Sequence, residues 1–368
     1  MSYIKQAVPE VDKIGDLLDS ISLDISSSIQ SEVTSFLDDT SVSTDSEAAQ
    51  VLITLPAGEI DPRLKLLSHS SRTTLHKCPR KYQLYRLSAT QVAMADQKEV
   101  EQGVTFAYGK AVGIGVQSTM EDKTDDQIYL DTFLEWDTGL LDENPKQKKS
   151  FWLAIWAVQK FMVLRTQGFL DEYELVYYQG KPAVELSFQI VLPNGYKYRG
   201  FVDAVLRHKV TGEIMVLENK TSSGTANSAM FKNSGQALGY SVVLDILFPE
   251  MSSYIVLYLV YETKTMEYVE LPFTKSLLQR ALWLQELLID TQLVTLYDSF
   301  DTYPMHGEAC YDFFRDCEYL GVCTLSTENQ TKPLTQKILD KIEIDSEAYD
   351  FNIDFYELVE AQVAKGGL

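Results

Sequence analysis

The chain has 368 residues, 45% of them hydrophobic and 11% aromatic, with a formal net charge of −21. Those proportions fit an ordinary globular fold with room for one large domain or two smaller ones. There is no run of about 18 apolar residues to span a membrane, the first residues lack the apolar core of a secretory signal, and the acidic balance argues against a protein that coats nucleic acid non-specifically; the expected setting is the cytoplasm, without a membrane partner.

Residues 1–60 are rich in Ser, Asp and Thr, as in Ser26-Ser27-Ser28 and Asp38-Asp39-Thr40. Ile14, Leu17, Leu18 and Ile21 have the spacing of a short amphipathic helix. The segment reads as a weakly ordered acidic arm, either a partner-docking extension or an irregular tail. The main body is expected over 61–330. Ser70 stands where a helix N-cap belongs, ahead of a helix running toward Cys78. Lys77, Arg80, Lys81 and Arg86 form a local basic cluster beside that cysteine. Further helices are expected from Phe106 to about Met120 and over 151–167. The aromatic stripe of the second, with Phe151, Trp152, Trp156 and Phe161, reads as core.

From residue 173 the hydrophobic period shortens to that of a strand. Strands are predicted at Tyr173–Tyr178, Ala183–Leu192, Tyr196–Arg207 and Glu213–Glu218. Pro193-Asn194-Gly195 and Thr211-Gly212 mark turns between them. A helix over 227–246 follows, then strands at Tyr254–Tyr261 and Met266–Leu271 and a long helix over Lys275–Leu296. Residues 331–368 read as an acidic helical tail. The order argues for an α/β or α+β fold, with a central mixed sheet flanked by helices.

Asp203 sits inside the apolar run Gly200-Phe201-Val202-Asp203-Ala204-Val205. Burying an unpaired carboxylate is strongly unfavourable, so a metal or cationic partner is implied. Glu218-Asn219-Lys220 ends the next predicted strand, where Glu218 and Lys220 share a face. Antiparallel pairing would set Asp203 beside Glu218. Such a set suits metal-dependent phosphodiester cleavage: two carboxylates hold Mg²⁺, the Asn219 carbonyl adds a ligand, and Lys220 positions or deprotonates the attacking water. The competing reading is a hairpin with charged residues at its solvent end. Gln236 and Tyr240 share a helix face, for packing or for contact with a nucleic-acid backbone. Glu185 reads as an outward strand residue or an accessory acid. None of His69, His76, His208 and His306 stands in a recognisable ligand pair. Cys78, Cys310, Cys317 and Cys323 are the only cysteines. In a reducing compartment they are either unrelated free thiols or metal ligands.

Taken together these residues resemble the PD-(D/E)XK nucleases of the RecB-like exonuclease branch, with likeness to CRISPR-associated RecB-like nucleases, the AddB nuclease domain and phage relatives. Four stretches carry the resemblance: Ser68-His69-Ser70 through Cys78-Pro79-Arg80-Lys81-Tyr82; Gly200–Asp203 with Glu218-Asn219-Lys220; Gln236-Ala237-Leu238-Gly239-Tyr240; and the cysteine triplet. It spans roughly 67–325. It implies a restriction-endonuclease-like core, Mg²⁺ or Mn²⁺ at Asp203 and Glu218, and a catalytic Lys220. It also implies a [4Fe–4S] cluster on the four cysteines, with structural Zn²⁺ as the alternative. Gln236 and Tyr240 are expected at the substrate, with Arg80 and Lys81 from the basic cluster. Two departures stand out. Gly113 occupies the place of the family's metal-binding His, with Gln117 one turn later as an accessory candidate, and the Cys310 to Cys317 spacing is wider than usual. The expected function is a metal-dependent DNA exonuclease acting on single strands or duplex ends in phage or bacterial recombination, replication or DNA processing. The alternative is a weakly catalytic or non-catalytic nucleic-acid-binding subunit partnered with a helicase, recombinase or single-strand-binding protein.

Overall fold

The computed structural model describes residues 60–96, 104–136, 149–312, 315–321, 323 and 349–367. The expected N-terminal arm up to residue 59 and half of the C-terminal tail lie outside the described residues. Strand β1 (Leu66–Leu67) leads into α1 (His69–Lys77) and α2 (Pro79–Asp96). The cap of α1 is Ser68, not Ser70. Its hydroxyl accepts the Ser71 N–H while Ser71 reaches back to the Ser68 N–H, a reciprocal box that satisfies two otherwise orphaned donors. Helices α3 (Val104–Met120), α4 (Asp125–Glu135) and α5 (Phe151–Thr166) follow.

The sheet is built from β2 (Tyr173–Leu175), β5 (Val184–Val191), β6 (Lys197–His208), β7 (Ile214–Ser222), β8 (Tyr254–Glu262) and β9 (Glu267–Lys275), with a small side hairpin of β3 (Tyr177–Tyr178) and β4 (Lys181–Pro182). The helical stretch predicted at 227–246 is two helices, α6 (Ser228–Lys232) and α7 (Gly235–Leu247), broken at Asn233-Ser234. Helix α8 (Leu277–Ser299) is opened by a second capping box, Ser276 with Gln279. Beyond it come the two-residue strands β10 (Tyr311–Asp312) and β11 (Arg315–Asp316), then β12 (Phe351–Asp354) and α9 (Phe355–Ala364).

The strand order is β12-β5-β6-β7-β8-β9, with β1 and β2 also pairing β6. β7 pairs β8 and β12 pairs β5 in parallel, while β5–β6, β6–β7 and β8–β9 are antiparallel, so the sheet is mixed as expected. One face packs Leu206, Leu217, Leu257 and Leu259 against Ala107, Ala111, Val112, Ala154 and Phe161 of α3 and α5. Gly115 lets those two helices meet: a Cβ there would lie 2.3 Å from a Val158 methyl. The other face carries Tyr198 and Phe188 beneath Trp283 of α8 and Tyr240 of α7.

Two expectations change here. The aromatic stripe of α5 is only partly core: Phe151 and Phe161 are buried, but Trp152 is 75% exposed and Trp156 45%. The inward face of α5 needs small residues, Ala154 and Ala157, to approach α3, and this turns the indoles outward. The C-terminal stretch is also not helical throughout. Phe351 and Ile353 alternate inward as β12 and cover the edge of β5. Helix α9 is then pinned by Asp245 of α7, which is fully buried and receives Arg280 Nε at 2.8 Å and Lys365 Nζ at 2.5 Å, together with the Gln362 amide.

Candidate active site

The sheet forks, and the fork makes the site. β6 and β7 pair from Arg207–Ile214 to Ala204–Leu217 and no further. Past that point β6 runs on beside β5, while β7 continues to Ser222 beside β8 alone. Glu218-Asn219-Lys220 therefore lies within a strand rather than at its end, because the parallel pairing with Tyr258, Leu259 and Val260 prolongs it. The next residues at the fork are Asp203 and Glu218. Asp203 Oδ2 replaces the missing ladder bond by accepting the Asn219 N–H at 2.8 Å. Strand alternation turns Asp203, Glu218 and Lys220 away from the Leu217 core and toward α7.

The electrostatics are those of a site short of positive charge. Glu218 is completely buried; Lys220 Nζ lies 2.5 Å from its Oε1, while Oε2 and the Asn219 Oδ1 are buried without hydrogen-bond partners. Burial, and then the neighbouring Glu218, push the Asp203 carboxyl well above its ordinary value, with Lys220 and the Asn219 N–H only partly opposing them. Burial acts to lower the Lys220 ammonium, but Glu218 and Asp203 outweigh it and hold Lys220 above its ordinary value. A hard divalent cation fits these groups: two carboxylates, an orphaned carboxylate oxygen, and a like-charge repulsion that a cation relieves. Among the described residues no group of three or more His, Cys, Asp or Glu is gathered as a ready cage. Backbone carbonyls, substrate and water would complete the shell.

Glu185 stands at the margin of this group, across β5–β6 from Asp203 and between the paired couples Val184–Ala204 and Leu186–Val202. Its φ is +47°, the left-handed region, costly for a residue with a side chain. In that conformation its Oε1 accepts Gln117 Nε2 of α3 at 2.5 Å. Desolvation by the surrounding walls raises its carboxyl, the Gln117 bond lowers it, and Glu218 raises it again. The two accessory candidates thus meet each other beside the fork. A Cβ added at Gly113, one turn before Gln117, would find nothing within 4 Å.

Tyr240 lies fully buried under the carboxylates, whose charges help burial raise its hydroxyl. The Gln236 amide is committed to the Tyr240 hydroxyl. His69 was placed in no ligand pair by its sequence, yet it stands beside the site. Burial first, then Lys220 and Arg72, bring its imidazole down to about 4. The structure makes it the first residue of a helix capped by Ser68.

The basic cluster is occupied elsewhere. Lys77 pairs with Asp312 at 2.8 Å, Lys81 with Glu318 at 3.1 Å, and Arg80 Nε donates to the Cys323 carbonyl at 3.0 Å. Arg86 Nε donates to the Arg63 carbonyl at 3.0 Å. The contacts of Lys77, Arg80 and Lys81 dock the segment carrying Cys310, Cys317 and Cys323 against the α1–α2 junction that carries Cys78. The donor chemistry suits a thiolate-bound centre, and Cys78 is near enough to act on Cys317, whose thiol is raised chiefly by burial. The thiols themselves face backbone carbonyls: Cys78 Sγ is 4.0 Å from Pro304 O, Cys310 Sγ 3.9 Å from His306 O and Cys323 Sγ 3.7 Å from Leu320 O. They form no ligand shell among the described residues. A surface groove of about 770 Å³ between α3, α4 and α5 includes none of the candidate site residues.

The sequence pattern of the PD-(D/E)XK nuclease superfamily matches residues 66–324, well over half of the chain. Among solved structures, the chain is similar to a protein from Eubacterium rectale provisionally named an exonuclease, at 13% identity and a TM-score of 0.39, covering 67% of this chain and 86% of that one. It is also similar to a protein designated SSO0001, at 15% identity and a TM-score of 0.22, covering 57% of this chain and 84% of that one. No curated protein matches at a significant level.

Proposed function

The chain belongs to the PD-(D/E)XK nuclease superfamily, and from that premise we propose that it is a metal-dependent deoxyribonuclease of the RecB-like branch whose chemistry is carried by Asp203, Glu218 and Lys220. The observation that carries the reading is the fork between β6 and β7, which sets the two carboxylates and the lysine on one face with Glu218 Oε2 unpartnered.

Asp203 and Glu218, with the Asn219 carbonyl, are the groups for Mg²⁺ or Mn²⁺. Such a cation supplies charge neutralisation at the phosphate and acidifies water. Lys220 enters the cycle as an ammonium, since the carboxylates hold its proton. In that state it donates hydrogen bonds to an attacking water or to a phosphate oxygen and orients it. It becomes able to accept a proton only as those carboxylates are neutralised. Glu185, steadied by Gln117, faces the same water-accessible margin as an accessory acid. Gln236 and Tyr240 position the floor of the site. Arg80 and Lys81 bear on substrate through the segment that they hold.

The reading extends to exonucleolytic attack on single strands or duplex ends, in cytoplasmic DNA recombination, replication or processing, with a helicase, recombinase or single-strand-binding protein as partner. It also includes a structural [4Fe–4S] cluster on the four cysteines, with Zn²⁺ as the alternative; the docking of Cys323 and Glu318 onto Arg80 and Lys81 supports it. Incubation of purified protein with end-labelled linear and with circular DNA, in Mg²⁺ and in Mn²⁺, tests the enzyme. Loss of label from linear DNA alone is expected; cutting of circles would replace exonuclease by endonuclease. Anaerobic purification with iron and zinc analysis tests the cysteine centre, and absence of both metals would remove it from the reading. The second reading, a weakly catalytic or non-catalytic nucleic-acid-binding subunit, is favoured by Gly113 standing where the family's metal-binding His is expected and by the net charge of −21, and binding of DNA without any cleavage would select it.

A further inference from the structure

Helix α7 begins beside the catalytic candidates, and its first turn is bare. Its N-cap, Ser234, makes no side-chain capping bond, so the first N–H groups keep their outward donor character. The first helical residue is Gly235. A Cβ there would have His69 Nδ1 and Trp283 Nε1 as its nearest neighbours, each at 3.8 Å. The missing side chain thus leaves a small space walled by two ring nitrogens. Trp283 lies along α7, and at Gly239 its ring approaches to 2.9 Å of where a Cβ would be. Trp283 is 1% exposed, and its indole N–H is buried without a hydrogen-bond partner. An orphaned buried donor is costly unless a ligand completes it.

The cations that act on His69, Lys220 and Arg72, are themselves paired with Glu218 and Asp290. His69 is itself the first residue of α1, and α1 and α7 are in contact. An oxygen placed where the Gly235 Cβ would be needs only a short shift to reach hydrogen-bond distance of either ring nitrogen.

We propose that the N-terminus of α7, with His69 and Trp283, is a subsite for a phosphate group of the DNA strand next to the scissile bond. The proposal rests on the nuclease reading, since Lys220 links this space to the cleavage residues. The phosphate is either a strand terminus or an internal phosphodiester, and the chemistry of the subsite is the same for both.

The test is the affinity of the full chain for DNA in EDTA, where no strand is cut. Three probes are used: a 3′-labelled oligonucleotide with a 5′-phosphate, the same oligonucleotide with a 5′-hydroxyl, and a circular single strand as competitor. The variants are H69A, W283F and G235A. G235A is the decisive one, because its Cβ fills the space yet makes only ordinary contacts, so folding is retained. Roughly tenfold weaker binding is expected for H69A and G235A, the size of a lost hydrogen bond to a charged group. Weakening confined to the 5′-phosphorylated probe assigns the subsite to a terminal phosphate; equal weakening on all three assigns it to an internal one. Affinities within twofold of the parent on every probe overturn the proposal. A parent chain that binds and cuts DNA while the variants bind equally well removes the subsite alone. A parent that binds no DNA removes the nuclease reading and the subsite with it.

Discussion

Replacing Asp203 with Asn tests the claim that the fork is short of positive charge. Asp203 and Glu218 follow the last paired couple of β6 and β7, Ala204–Leu217. Cross-strand neighbours of that kind have Cβ atoms about 5 Å apart. Two like charges at about 4–6 Å, with an effective dielectric of about 20, repel by ~3–4 kcal/mol. Lys220 returns part of this through its contact with Glu218. The asparagine keeps an oxygen able to accept the Asn219 N–H that Asp203 now holds. The net expectation for D203N without metal is a stabilisation of about 1–2 kcal/mol at pH 8, or roughly 2–6 °C in Tm. The sign follows from the raised Asp203 carboxyl. A carboxyl raised on folding costs stability only where the unfolded chain has lost its proton. The wild type therefore loses stability as pH climbs from the ordinary carboxylate value through the folded one, and D203N does not. The gain should vanish toward pH 4. Mg²⁺ or Mn²⁺ should raise the wild-type Tm at pH 8 and leave D203N nearly unmoved, while cleavage falls by about 10²–10⁴-fold. Thermal melts from pH 4 to 8.5, in EDTA and in each metal, decide the matter. A D203N protein destabilised equally at both ends of that range, or one still stabilised by the metals, refutes the argument.

Lys220→Ala should abolish cleavage, but it should not be structurally silent: it leaves Glu218 buried without its cation, and a loss of about 1–3 kcal/mol is expected after allowing for the partial exposure of the lysine. Melts of K220A in EDTA at pH 8 check this, and an unchanged Tm would mean that the pair contributes nothing. Gly113→His should fold normally, since nothing lies within 4 Å of the new Cβ and a helix interior gains a few tenths of a kcal/mol when histidine replaces glycine. It should tighten Mn²⁺ binding measured by calorimetry; unchanged affinity would place Gly113 outside the metal's reach. Asp245→Ala strands Arg280 and Lys365 beside each other, and about 3–5 kcal/mol should be lost. Limited proteolysis should then release α9 first, and resistance equal to wild type would show that Asp245 does not pin it.

The sheet was legible because its strands alternate and its turns are marked. The catalytic candidates were legible because a carboxylate in the middle of Phe201-Val202-Asp203-Ala204 needs a reason to be there. The strand containing Glu218 was cut short in the sequence reading because Asn219, Lys220 and Ser222 look like a strand end. What prolongs it is the parallel partner β8, which is distant in sequence and contributes through pairing rather than through any local preference. The same limit explains β12. Its Phe351 and Ile353 alternate, but beside Glu357 and Glu360 they read as part of an acidic helix until the open edge of β5 is there to receive them. The two tryptophans of α5 failed for the opposite reason: burial preference favours an indole inside, but the close approach to Gly115 on α3 admits only alanine and valine. His69 shows most clearly what a one-dimensional reading omits. Nothing in Ser68-His69-Ser70 distinguishes that ring from an ordinary first-turn residue. Its importance comes from Lys220, Gly235 and Trp283, which only the packing of α1 and α8 around the start of α7 brings to it. A residue that acts through neighbours from three separate elements cannot be recognised from its own local pattern. The meeting of Asp203 with Glu218, by contrast, follows from the pairing of two adjacent strands, and for that reason it was legible in the sequence although the fork was not.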